Sequence, residues 1–163
     1  MNREIVELYT DADLSRLGQK IARLCAAHCL LAAAALAACL IMIAHTGTLN
    51  AARMEAAVIL VSILAGWIIL YGQLLTVTPW RRERRHARML REGEREAVTG
   101  AITVTDERIV IKGSITARRV EVRTEEETRR VLVCETRARA LEAAGAAALY
   151  TVHNYVAAYE VAE

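Results

Sequence analysis

Aspartate and serine are scarce in this chain, with three of each: Asp11, Asp13 and Asp106, and Ser15, Ser62 and Ser114. No glycine-rich phosphate loop, HExxH pair or serine elbow occurs, so no set of acid, base and nucleophile can be assembled from a motif. The expectation is a protein that is not an enzyme and carries no cofactor. Proline occurs once, at Pro79, and phenylalanine not at all. The formal charge of +2 is too close to neutral for an overall nucleic-acid binder. Four cysteines without a regular spacing imply no disulfide framework, and Cys134 reads as a reduced, buried thiol.

The most informative shortage is of charge in two places. Leu24 to Ala44 is 21 residues without a formal charge, and Ala56 to Val77 is 22. At about 1.5 Å per residue each would reach roughly 31–33 Å as a helix, enough for a hydrocarbon core near 30 Å. In lipid each amide must be satisfied within its own segment, which makes both helical. The chain is therefore expected to be an α+β membrane protein, a multi-pass protein of the cell membrane with two spans (24–44 and 56–77 within 24–78).

Charge elsewhere sets the expected orientation. Arg16, Lys20 and Arg23 precede the first span, whereas Arg81, Arg82, Arg84, Arg85, Arg88 and Arg91 follow the second. The connection His45 to Arg53 holds one arginine, at its far end. Basic loops stay inside, so both termini are expected in the cytoplasm. Trp80 and Tyr71 suit the inner interface, and Pro79 is expected to stop or kink the second span. A competing reading takes Leu36-Ala37-Ala38-Cys39 as a lipoprotein cleavage box. The apolar run continues through Ala44, and the leading segment contains four acids, both unlike a short basic leader.

Residues 1–23 read as a cytoplasmic helix capped by Thr10 or Asp11. Residues 79–95 read as a basic juxtamembrane helix. Arg81, Arg84, Arg85 and Arg88 recur at spacings of three and four and share one side, a pattern that anionic lipid headgroups attract. Nucleic acid is not needed to explain them.

From Ala97 the apolar period changes to two. Strands are expected around Ile102–Val104, Arg108–Lys112, Ile115–Arg123, Arg130–Glu135 and Leu149–Val161. Turns are expected at Asp106-Glu107 and Gly113-Ser114, a charged loop at Thr124–Glu127, and a short helix over Thr136–Ala148 broken at Gly145. Five strands and a helix in residues 96–163 suggest a small β-barrel-like domain, OB-like or SH3-like. The order of spans and small barrel resembles membrane-anchored OB domains of the NfeD type in layout. Val104 to Gly113, read Val-Thr-Asp-Glu-Arg-Ile-Val-Ile-Lys-Gly, resembles a strand pair of bacterial pleckstrin-homology-like membrane proteins. Neither resemblance transfers a functional residue.

Two further sets of residues stand out. Cys25, Cys29 and Cys39 fall on one helical stripe with His28 beside them, a candidate soft-metal set against the simpler reading of small packing residues. Ala33 with Ala37, and Ser62 with Gly66 and Gln73, provide small-residue and polar helix faces for pairing within the hairpin or in a homo-oligomer. The leading functional expectation is a hairpin anchor for a cytoplasmic β-domain that binds a protein or small ligand at the membrane surface. The alternative is a subunit of an oligomeric channel or transporter.

Overall fold

Helix formation starts at a capping box. In the computed structural model, which describes residues 4–111, 115–124 and 127–161, helix α1 runs Asp11–Ala44. The Asp13 amide donates to Thr10 Oγ1 at 3.3 Å, and the Thr10 amide donates back to Asp13 Oδ2 at 3.0 Å. Each satisfies an amide that the first helical turn leaves without a carbonyl. Partial burial acts to raise the Asp13 pKa, but Thr10 and the neighbouring Arg137 outweigh it, and the net direction is down. A carboxylate with a depressed pKa contributes stability above its unfolded pKa, near 4, and loses it as pH falls through the folded value. Asp13→Asn is therefore expected to lower the melting temperature at pH 7 and to reduce the wild-type loss of stability below about pH 4. Thermal melts of both proteins from pH 7 to pH 3 measure this, and parallel curves would contradict it.

Helix α2 covers Ala51–Gly72 and is continued by a π-helical turn, Gln73–Val77, and by α3, Thr78–Glu92. The three follow one another without an intervening loop, 42 helical residues in all. Pro79 does not end the run. A proline lacks the amide that would close an α turn, and its ring crowds the turn before it. The wider π turn lies immediately before Pro79, and side chains reinforce its carbonyls: Thr78 Oγ1 donates to the Gln73 carbonyl at 2.9 Å. The connection between α1 and α2 is held by Asn50, whose side chain accepts from the Gly47 amide at 2.6 Å.

Residues 17–81 form one compact unit, an antiparallel helical pair. Its contacts recede from the turn in step: Cys39 with Ser62, His28 with Gly72, and Lys20 with Trp80. Both helices are long and apolar, and the strongly apolar windows are 6% and 0% buried. Leu30, Leu36, Ile41 and Leu75 all project outward, Leu30 with 72% of its surface exposed.

The second unit combines residues 1–16 with 82–163. Its sheet contains seven strands among the described residues: β1 Glu4–Glu7, β2 Glu96–Thr99, β3 Ala101–Ile111, β4 Ile115–Arg123, β5 Thr128–Cys134, β6 Ala146–Val152 and β7 Tyr155–Val161. The hydrogen-bonded order is β2-β6-β7-β5-β4-β3, with β1 added to β7. Glu4 pairs with Val161 and Glu7 with Ala158, antiparallel, while β5 meets β7 in parallel only at Leu132 and Tyr155. Helix α4, Glu135–Ala144, lies between β5 and β6 and ends at Gly145, whose φ of 56° is the left-handed conformation favoured after a helix. Leu149, Val120, Val122, Val131, Val133, Val156 and Leu141 fill the core.

Several expectations are corrected here. Residues 1–23 are not all helical, because Glu4–Glu7 forms an extra strand on β7, and Leu8 and Tyr9 are buried in the sheet unit. The sheet is open and not an OB-like or SH3-like barrel. Its two end strands, β2 and β3, are successive arms of one bent segment joined at Gly100 and do not pair with each other. A Cβ at Gly100 would run into the Arg123 carbonyl oxygen, so only glycine allows that corner. Asp106-Glu107 is not a turn: β3 runs through it with a register shift between Val104 and Arg108. Ala146–Ala148 belongs to β6, not the helix. Leu149–Val161 is divided by a turn at His153-Asn154, where His153 has φ 55°. The turn expected at Gly113-Ser114 and the middle of the charged loop, Glu125-Glu126, lie outside the described residues.

Candidate functional site

Helix α3 has two unlike sides. Ala87 and Leu90 are buried, and the His86 ring meets the Tyr155 ring edge-on at 4.8 Å, so this side packs on the sheet. At 100° per residue the opposite side carries Arg81, Arg84, Arg85 and Arg88 within about one quarter of the helix circumference, and all four are exposed. Gly93 follows the helix, where a Cβ would strike Val152, so α3 ends close against β6.

The electrostatic contrast with the rest of the unit is sharp. Arg91 pairs with Asp11, Arg95 with Glu7 at 3.0 Å, and Arg137 with Asp13 at 3.0 Å, which ties the N-terminal segment to the unit. Arg108 pairs with Glu135, Arg118 with Glu142, Arg119 with Glu107, Arg129 with Glu96 and Arg130 with Glu121. The hydrogen bond from Arg129 holds the Glu96 carboxyl below its ordinary pKa. On the exposed side of α3, Arg88 has Glu92 at 3.3 Å, but Arg84 and Arg85 have no acidic partner among the described residues. Arg81 reaches only the Cys25 sulfur, at 3.6 Å. Most of the sheet unit's described arginines are paired with its own carboxylates, and Arg84 and Arg85 on the side of α3 turned away from the sheet are among those that are not. A guanidinium without a carboxylate retains several N–H donors for an external anion.

The cysteine and histidine set is not gathered around one point. Cys29 is exposed, Cys25 adjoins Arg81, and Cys39 Sγ lies 3.7 Å from Ser62 Oγ on the other helix. His28 is committed to packing. Its Nδ1 donates to the Leu24 carbonyl at 2.7 Å, and the ring rests where a Gly72 side chain would begin. That complementarity is invisible from spacing alone, because residue 72 becomes informative only once the two helices are aligned.

The helix-packing candidates divide between two environments. Ser62 and the half-buried Gln73 adjoin the intramolecular seam, and the Gln73 side-chain amide has no hydrogen-bond partner among the described residues. Ala33, Ala37 and Gly66 lie on exposed faces, with nothing within 4 Å of a Cβ built at Gly66. The half-buried residues of this stretch are instead Ala35, Cys39 and Met42 on α1 and Ala57, Val58, Val61, Ala65 and Ile69 on α2.

The open hollow lined by Glu94, Arg95, Glu96, Thr151, Val152 and His153, of about 530 Å³, was not anticipated from the sequence. It sits beside the β2–β6 pair, and two of its charged side chains already have partners in Glu7 and Arg129. No protein-family model, curated protein or solved structure matches the chain.

Proposed function

We propose that this chain is a two-span membrane protein of the cell membrane, whose hairpin anchors a cytoplasmic sheet domain that binds a protein or small ligand at the membrane surface. One observation carries the reading: β1 precedes the apolar hairpin, β7 ends the described chain, and the two are hydrogen-bonded neighbours. Strands in one sheet lie on one side of a bilayer, so the intervening segment crosses an even number of times. Two helices of suitable length are available for those crossings. Their outward apolar side chains favour lipid contact over a soluble core, where such helices would be covered. Arginines at the sheet-domain end favour the cytoplasm for that domain.

In this reading α3 lies at the inner leaflet, with Arg81, Arg84, Arg85 and Arg88 toward anionic headgroups, each contributing roughly 1 kcal/mol near such a surface. Amide hydrogen exchange tests this in the full chain reconstituted in bilayers. Exchange along residues 81–92 is expected to slow when phosphatidylcholine is replaced by a mixture with phosphatidylglycerol. High salt, or replacement of all four arginines by glutamine, should remove the slowing. Equal exchange in neutral and anionic bilayers would leave the arginines a topological role alone.

A further inference from the structure

The unit of residues 17–81 is almost free of carboxylates. Its only acid is Glu55, near the turn and two residues from Arg53, whereas the opposite end carries Lys20, Arg23 and Arg81. Two of these cations reach across the helical seam in opposite directions. Lys20 Nζ from α1 sits 3.1 Å from the centre of the Trp80 ring, and Arg81 donates from α3 to the Cys25 sulfur on α1 at 3.6 Å. Neither partner neutralises a charge: an indole offers only its π face, and a thiol is a weak acceptor. Arg23, one turn beyond Lys20 on α1, is exposed and has no partner among the described residues. Elsewhere the chain pairs most of its arginines with its own carboxylates, and here it holds like charges on two packed helices without any.

We propose that Lys20 and Arg81, with Trp80, form a headgroup site for one phospholipid bearing two phosphates, of the cardiolipin type. The inference rests on the membrane reading above and goes beyond it, because it assigns a stoichiometric ligand to the hairpin rather than a diffuse attraction to α3. The cations are divided between two helices, whose axes in packed pairs stand about 8–10 Å apart. A single phosphate serves one helix well, whereas two phosphates on a common glycerol serve both. The Lys20 ammonium keeps its donors for one phosphate while Trp80 covers its other side. The Arg81 guanidinium presents its remaining N–H groups to the second.

The test uses the full chain in detergent after removal of endogenous lipid. Bound lipid is read by native mass spectrometry, and stability by thermal melting. Cardiolipin, phosphatidylglycerol at matched phosphate, and inorganic phosphate are compared. One cardiolipin should be retained per chain, at least about tenfold more tightly than phosphatidylglycerol, because the second phosphate binds without a separate encounter. Lys20→Gln with Arg81→Gln should abolish that preference. Lys20→Arg, which keeps the charge and the contact with the indole, should preserve it, as should Arg84→Gln with Arg85→Gln. Equal retention of the two lipids would overturn the two-phosphate site while leaving the membrane reading intact. Equal stabilisation by inorganic phosphate would overturn the assignment to a lipid. Loss of all anionic-lipid binding in Arg84→Gln with Arg85→Gln would move the ligand to α3 and overturn it also.

Discussion

Gly72→Ala will open the apolar hairpin. The His28 imidazole occupies the space of the missing side chain, and its ring is held there by the bond from Nδ1 to the Leu24 carbonyl. An added methyl forces the ring to shift and to give up that bond, and a forced contact of this kind typically costs about 1–3 kcal/mol. Two kcal/mol corresponds to roughly a thirtyfold loss of the closed arrangement. The readout is available at the other end of the seam, where Cys39 and Ser62 are 3.7 Å apart through their side-chain ends. With Ser62→Cys and the other three cysteines replaced by alanine, mild oxidation should form the Cys39 cross-link rapidly. Gly72→Ala should slow it strongly, and His28→Ala in the same chain should restore it. Failure of His28→Ala to rescue would show that the two residues do not share that space.

The second large effect is expected at Tyr9, far in sequence from the strands it supports. Its ring is only 5% exposed, Arg137 lies 5.5 Å above it, and it follows the strand that completes β7. Tyr9→Ala removes a large buried ring and should cost about 3–5 kcal/mol, a substantial share of a domain's total stability. Tyr9→Phe should act in the opposite direction. The hydroxyl is buried with no nitrogen or oxygen partner and only the weakly accepting Cys134 sulfur beside it; burial first, then Cys134 and Glu83, raise its pKa far above the usual tyrosine range. Removing an unsatisfied hydroxyl should stabilise the protein by about 1 kcal/mol. Denaturant melts of the two variants separate these outcomes. A marked loss of stability in Tyr9→Phe would show that the hydroxyl is satisfied after all.

Tyr9 also shows where the sequence is hard to read. Glu-Ile-Val-Glu at residues 4–7 is too short to show a period, and its partner, Ala158–Val161, lies at the other end of the chain. Nothing local distinguishes such a strand from the first turn of a helix. The division of Leu149–Val161 is hidden for a related reason. His153-Asn154 makes the turn without glycine or proline, and the apolar alternation passes through it. Asp106-Glu107 has turn composition, yet it is accommodated within β3 by a register shift. Pro79 marks the correct place, but the preceding π turn absorbs the disruption that proline would otherwise cause. By contrast, the two apolar helices and the strand-rich segment after them were legible. Uncharged runs longer than 20 residues have few other uses, and period-two alternation is visible in Ile115–Arg118 and, in the other phase, in Arg119–Arg123. Gly145 was legible as a helix break because its role depends on its own backbone, although the strand that follows it was not. At the site, the arginine spacing was legible because one helix contains all four residues. The partners of His28, Lys20 and Arg81 were not, since each lies on the other helix of the pair.

The central claim is that both ends of the chain share the cytoplasmic side while the turn between the helices faces outward. Site-directed labelling in intact cells tests it most directly. In a chain whose native cysteines are replaced by alanine, Thr48→Cys and Glu127→Cys are compared using a membrane-impermeant thiol reagent. Cysteine at residue 48 should react in intact cells, and cysteine at residue 127 only after the membrane is opened. Reaction at residue 127 alone in intact cells would invert the topology, and reaction at both would contradict a two-span hairpin.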